Sequence, residues 1–164
     1  MTQRRDGARR SPTSDQLRTW RAFVETTDAL RSRLSARLQA ESGLSSSDYA
    51  VLLALHDAEG HCLRSSALAD AVGWERSRLS HQVGRMERRG LVARQGSRAA
   101  GVALTDDGAA TFRRASVAHL RVVRQLFVDA LTDEQLAAAG EIAAALRAAL
   151  DRPAPPSEPT RAED

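Results

Sequence analysis

Pro12 and Pro153 are separated by about 140 residues that contain no other proline, the one side chain that breaks a helix from within. Pro155, Pro156 and Pro159 all lie beyond Pro153. In a chain of 164 residues that is 42% apolar, a stretch of that kind is free to be helical almost throughout and long enough to bury a core. Residues 1–14 and 151–164 are polar, charged and proline-containing. Neither holds the apolar side chains needed to order itself, so both are expected to be tails flanking one domain over 15–150.

Apolar spacing divides that interior. From Asp15 to about Ala40, Leu17, Trp20, Phe23, Val24, Leu30, Leu34 and Leu38 recur at helical intervals and predict one long amphipathic helix, ended by Gly43. Ser45 with Asp48 three residues on has the form of a capping box, opening a second helix through Tyr49, Val51, Leu52, Leu53 and Leu55 to Glu59, with Gly60 closing it. Ser65 or Ser66 is expected to cap a short third helix carrying Leu68 and Val72. After Gly73, a fourth helix places Leu79, Val83 and Met86 at i, i+4 and i+7. Two short helices about a glycine turn predict a helix-turn-helix.

Arg89-Gly90 stops the fourth helix, and two extended pieces, Leu91–Arg94 and Val102–Leu104, then bracket Gln95–Gly101 as a small hairpin, or wing. Thr105 is expected to cap a fifth helix of roughly six turns through Phe112, Val117, Leu120, Val123, Leu126 and Phe127. Thr132 with Gln135 repeats the capping box, Leu131 and Leu136 form a hydrophobic staple, and a sixth helix runs to about Leu150.

All 24 basic residues are arginine, whose planar guanidinium suits bidentate contacts to phosphates and bases. A lysine-free, Ala- and Arg-rich composition is also what a GC-rich genome produces, so composition alone establishes no partner. Placement says more. Between His61 and Gly101 eight arginines (64, 76, 78, 85, 88, 89, 94 and 98) face three acids, a local net of +5, while the rest of the chain carries −2. Excess charge confined to a helix-turn-helix and hairpin is what a surface that displaces counterions from DNA requires. Arg88 and Arg89 have a second reading, as solvated groups that complement the end of a helix. With Leu79, Val83 and Met86 inward, the fourth helix is expected to present Ser77, Arg78, His81, Gln82 and Arg85, with Arg76 and Ser80 on its shoulders; Arg reads guanine, Gln reads adenine, and Ser takes bases or phosphates.

Other classes are disfavoured. Apolar runs such as Tyr49–Leu55 fall far short of the roughly 20 residues of a membrane span, no apolar stretch follows the basic N-terminus as in a secretory signal, and Cys62, as the single cysteine, allows no internal disulfide. A cytoplasmic protein is expected. Ser80 and His81 are helix neighbours pointing apart, without a phosphate loop or a paired acid, so no catalytic residues are assigned. His56, His61 and Cys62 are metal-ligand types without a fourth partner, and neither a metal site nor a cofactor is expected.

Several segments together resemble the MarR (multiple antibiotic resistance regulator) family of winged-helix transcription factors over about Asp15–Leu150. They are Ser45-Ser46-Ser47-Asp48-Tyr49-Ala50-Val51-Leu52, the run from Leu68 to Gln82, Arg85-Met86-Glu87-Arg88-Arg89-Gly90-Leu91-Val92 and Leu104-Thr105-Asp106-Asp107-Gly108. The resemblance implies a mainly α fold: a winged helix-turn-helix over 45–104 with a small β-hairpin wing, and a helical dimerisation region formed by the N- and C-terminal helices, 15–41 and 105–150. It implies an obligate homodimer straddling a pseudo-palindromic duplex operator, most members being repressors relieved by a small ligand. By it, Ser77, Arg78 and His81 match base-reading positions, Ser65, Arg76, Ser80 and Arg85 match backbone-contacting ones, and Arg98 matches the arginine of the wing tip; Arg94, from the basic segment, is also expected among the DNA-binding residues. Two departures stand out. Only Gln95-Gly96-Ser97 separates Arg94 from Arg98, a wing some five residues shorter than usual and lacking its aspartate, and Glu75 stands where a Ser or Asp cap is common. Cys62 lies away from the first-helix position of the family's reactive cysteines and reads as a small packed hydrophobe.

Trp20, Arg21, Tyr49, His56, Phe112 and Arg113, from the first, second and fifth helices, mix aromatic with cationic groups as a pocket for an aromatic or anionic effector would. The competing reading makes Trp20, Tyr49 and Phe112 core. Function is thus expected to be sequence-specific transcriptional regulation, as a repressor of nearby genes, with an activator or ligand-blind regulator as one alternative and a helical protein-interaction module as another.

Overall fold

Thr13 accepts the backbone N–H of Gln16, and the Gln16 side chain reaches back to the Thr13 N–H at 2.8 Å, a capping box that opens helix α1 (Ser14–Ser42). Thr13 and Ser14 therefore belong to the ordered helix rather than to a tail. The computed structural model describes residues 11–96 and 101–152, so most of both expected tails lies outside the described residues. The chain divides into two compact units, one up to Val123 and one from Arg124.

In the first unit, α1 is followed by α2 (Ser46–Asp57), β1 (Cys62–Arg64), α3 (Ser65–Val72), α4 (Arg76–Arg88), β2 (Val92–Gln95), β3 (Gly101–Leu104) and α5 (Asp106–Val123). This is a mainly helical winged-helix fold, with a three-stranded antiparallel sheet in the order β1-β3-β2. Leu44, Leu52, Leu55, Leu68, Leu79 and Met86 are completely or almost completely buried and form the centre of the core. Gly73 joins α3 to α4 in the left-handed conformation, φ 67°, which glycine adopts without the steric cost of a Cβ. The Trp74 N–H then bonds back to Ala69 O at 2.9 Å, setting the angle at which α4 leaves the turn.

Two local expectations are corrected, and one short strand is added. Neither Ser65 nor Ser66 caps α3: Arg64 holds the cap position without a side-chain cap bond, and the serines lie inside the first turn. The segment before α3 is a strand, pairing Cys62 with Ala103 and Arg64 with Gly101; three residues are too few for alternation to reveal it. And α2 ends at Asp57, before a single 3-10 turn (Glu59–His61) in which Gly60 has φ 64° and His61 φ 53°.

Asp48 ties α4 to α2. Its carboxylate, almost wholly buried, accepts the Ser45 N–H and hydroxyl, both at 2.9 Å, the Gln82 amide at 2.6 Å and Arg89 Nη1 at 2.8 Å. Arg89 uses its other arm on the carbonyl of Gly43, at 2.9 Å, so the end of α4 is pinned to the elbow between α1 and α2. Burial by itself would raise the Asp48 pKa, but the Ser45 N–H, the Arg89 guanidinium and the Ser45 hydroxyl together hold it below the ordinary value.

The start of α5 is fixed as closely. The Thr105 hydroxyl donates to Gly90 O at 2.6 Å and accepts the Gly108 N–H at 2.9 Å, which caps the helix as its sequence predicts. A Cβ on Gly108 would fall well inside van der Waals contact of the Leu91 carbonyl oxygen, so this first turn rests directly on backbone.

The second unit holds a π-helical turn (Arg124–Val128) and α6 (Asp133–Leu150), opened by the capping box of Thr132 and Gln135. The α-helical part of α5 therefore stops at Val123 rather than continuing through Phe127. Leu126 and Phe127 follow Val122 and Val123 at i+4, so the apolar pattern runs on unchanged and hides the wider turn. No helix among the described residues is long and apolar enough to cross a membrane.

Gly108→Ala is expected to cost about 2–4 kcal/mol in urea unfolding, because a backbone neighbour cannot give way as a side-chain tip can; an unchanged midpoint would contradict the close approach. Asp48→Asn is expected to cost about 2 kcal/mol at neutral pH. Since the native Asp48 pKa lies below that of the unfolded chain, its stabilisation is complete well above pH about 4 and is lost as pH falls through the native value. The stability gap between the two proteins should therefore narrow in acid; a constant gap would refute the charge effect.

Candidate nucleic-acid interface

The apolar residues Leu79, Val83 and Met86 turn one side of α4 into the core, and the opposite side carries Arg76, Ser77, Arg78, Ser80, His81 and Arg85, all exposed. Gln82 is the exception to the expected face. It is only 3% exposed and its amide is spent on Asp48, so it cannot reach a base edge. Its position explains why: residue 82 lies three after Leu79 and four before Met86, on the buried stripe itself.

Beside α4 lies a cleft of about 490 Å³ lined by Arg64, Ser65, Ser66, Arg76, Leu79, Ser80, Val83 and Arg94. Its arginines come from three elements: Arg64 from β1, which pairs with β3 through Gly101, Arg94 from β2, which pairs with β3 through Val102, and Arg76 from the first turn of α4. Three arginines and three serines line the hollow with no acidic residue among them, and α3 begins there without a side-chain cap. An oxyanion is the ligand such a lining suits. Sequence assigned Ser65, Arg76, Ser80 and Arg94 contact positions, counted Arg64 only within the basic segment and did not single out Ser66; without β1, the place of Arg64 in that segment was not legible.

The arginines are held in different ways. The Arg78 guanidinium lies over the half-buried Trp74 ring, 4.4 Å from its centroid, a cation–π contact that leaves its charge available. Arg94 pairs with Glu87, Nε to Oε2 at 3.4 Å, and is half-buried. Arg88 and Arg89 are both exposed, but Arg89, with one arm on Asp48, belongs to the framework, whereas Arg88 has no ion pair among the described residues. Arg98, expected at the wing tip, lies outside the described residues.

The six residues expected to share an effector pocket do not come together. Tyr49, His56 and Phe112 do, with two rings against that of Phe112: Tyr49 at 5.3 Å and His56 at 4.8 Å, His56 also stacking on His61 at 5.5 Å. Phe112 is core, packed between α2 and α5. Tyr49 also meets His119 at 4.7 Å, whose buried Nδ1 has no partner and whose pKa burial lowers. Trp20 and Arg21 are remote from this cluster. Leu34 is the first of the α1 residues that line the hollow beside His119, and Trp20 precedes it by 14 residues, about 21 Å along the helix. Trp20 is accordingly 60% exposed rather than core. Arg113 follows Phe112 on α5 and points to solvent.

The family model for the MarR family matches residues 42–101, which spans α2 to the start of β3. Among solved structures, AbsC, a MarR family transcriptional regulator from Streptomyces coelicolor, is 35% identical over 85% of this chain and 99% of its own, with a TM-score of 0.76. Sco3205, another such regulator from Streptomyces coelicolor, solved in complex with DNA, is 33% identical over 87% of this chain and 92% of its own, with a TM-score of 0.81. The organohalide-sensing regulator RdhR-CbdbA1625, in its 2,4-dichlorophenol-bound form, is 20% identical with a TM-score of 0.70 over 85% of this chain and 86% of its own, and shares the fold. No curated protein matches the chain. With the winged helix, its basic cleft and more than 30% identity along nearly the full length of two such regulators, the chain belongs to the MarR family of transcriptional regulators, proteins that act on transcription and not as enzymes.

Proposed function

We propose that this regulator is a homodimeric repressor, acting in the cytoplasm on a pseudo-palindromic duplex operator. The observation that carries the reading is the cleft beside the exposed face of α4, lined by Arg64, Arg76 and Arg94 and by three serines. A backbone phosphate seated there would set α4 along the major groove, with Ser77, Arg78 and His81 toward base edges and Ser80 and Arg85 toward the flanking backbone. Arg78, already stacked on Trp74, needs less ordering when it meets a guanine.

Exposed apolar side chains support the dimer. Trp20 and Phe23 on α1, Val117 and Leu120 on α5, and Ile142 and Leu146 on α6 are open to solvent in the single chain. Faces of this kind are ordinarily covered, and a second copy related by a two-fold axis would match the symmetry of a palindromic site. An aromatic or anionic effector would find its contacts at the Tyr49–His56–Phe112 ring cluster, where His56 and Arg113 stand exposed on α2 and α5. Relief of repression through that cluster is the corresponding regulatory reading.

Binding is tested by fluorescence anisotropy on a duplex from the region upstream of the chain's own gene and on one of mixed sequence. Arg78→Ala should cost about 1–3 kcal/mol on the former and relax preference at one base pair, while Arg76→Ala should weaken both duplexes alike and reduce the salt slope by about 1. Equal losses from Arg78→Ala on both would remove its base-reading role, and binding indifferent to salt would favour a protein-interaction module instead.

A further inference from the structure

We propose that Asp48 is a positioning residue for the DNA-facing guanidinium of Arg85, acting through the side-chain amide of Gln82. The inference rests on the DNA-binding reading above and adds a specific chain of groups to it. An ionised carboxylate can only accept hydrogen bonds, and Asp48 Oδ1 accepts from Gln82 Nε2 at 2.6 Å. A carboxamide has donors on one side and an acceptor on the other. With its donor side committed to Asp48, Gln82 must turn Oε1 away, toward the next turn of α4, and there it receives Nη2 of Arg85. The opposite orientation would face acceptor to acceptor at Asp48 and donor to donor at Arg85, so the negative charge at 48 determines which way the amide points.

The linking group matters because it is neutral. Arg89 and Arg94 are held by carboxylates, Asp48 and Glu87, which offset their charge. Arg85 forms no ion pair among the described residues; its side-chain hydrogen bond is to an amide, which restricts the guanidinium while leaving its full positive charge for a phosphate. Gln82 is itself buried and closed off from solvent by the α2–α4 contact, so the restraint is in place before DNA arrives. A side chain already confined loses less freedom on binding.

The test is a double-mutant cycle on the full chain, with Gln82→Met, Arg85→Ala and the double variant, each titrated by anisotropy with a short duplex of mixed sequence at low salt. Gln82→Met, nearly isosteric and apolar at a buried position, should weaken binding by about 3- to 10-fold in the wild-type background, and by less than about 1.5-fold once Arg85 is alanine. A Gln82 that merely braces α4 would cost the same in both backgrounds, and that result overturns the proposal while leaving DNA binding intact. No loss from Gln82→Met in either background also overturns it. If the wild-type chain does not bind the duplex at all, the DNA-binding reading fails and this inference with it.

Discussion

A carboxylate taken out of water must be met by donors on every side, and Asp48 meets that requirement with groups drawn from three parts of the fold. Ser45 supplies the cap of its own helix, Gln82 comes from the middle of α4, and Arg89 comes from the end of α4 with a second arm on the elbow at Gly43. Apolar packing of Leu79, Val83 and Met86 fixes the distance between α2 and α4, but apolar contacts are non-directional. The angle and register of the surface presented to DNA depend on the directional bonds at Asp48.

A chain with 24 arginines and no lysine has to keep those cations from opposing one another and the fold. It does so by giving neighbouring arginines different partners. Arg89 is committed to the framework, Arg94 shares its charge with Glu87 at the base of the wing, Arg78 rests on an aromatic face, and Arg85 on an amide. Charge available to a phosphate therefore increases from the framework outward. Arg64, Arg76 and Arg94 all line the cleft, and among the described residues only Arg94 of the three is ion-paired, so an oxyanion there would meet two cations without a carboxylate partner.

Much of this was legible from local patterns, because the capping boxes at Ser45 and Thr132, the Thr105 cap and the i, i+4, i+7 spacing on α4 are satisfied within a few residues of themselves. What escaped the sequence depends on partners far along the chain. Gln82 reads as surface because it is polar, and only Asp48, 34 residues earlier, makes its burial affordable. Strand β1 is three residues long and exists because β3, nearly 40 residues later, pairs with it. Trp20 follows the same apolar period as Leu34 and Leu38, yet periodicity cannot tell the part of α1 that packs on α5 from the part that extends beyond the junction. Polar identity and helical phase thus predict a face; which faces are covered is decided by long-range contacts.

We place the nucleic-acid surface on the arginines of α4 and its cleft and not on those of α5 and α6, and following the arginine side-chain Nε–H resonances of the isotope-labelled protein during titration with duplex DNA tests that assignment. The resonances of Arg64, Arg76, Arg78, Arg85 and Arg94 should shift in a salt-sensitive way while those of Arg113, Arg114, Arg121 and Arg147 stay in place. Movement of the second group with the first unchanged would contradict it.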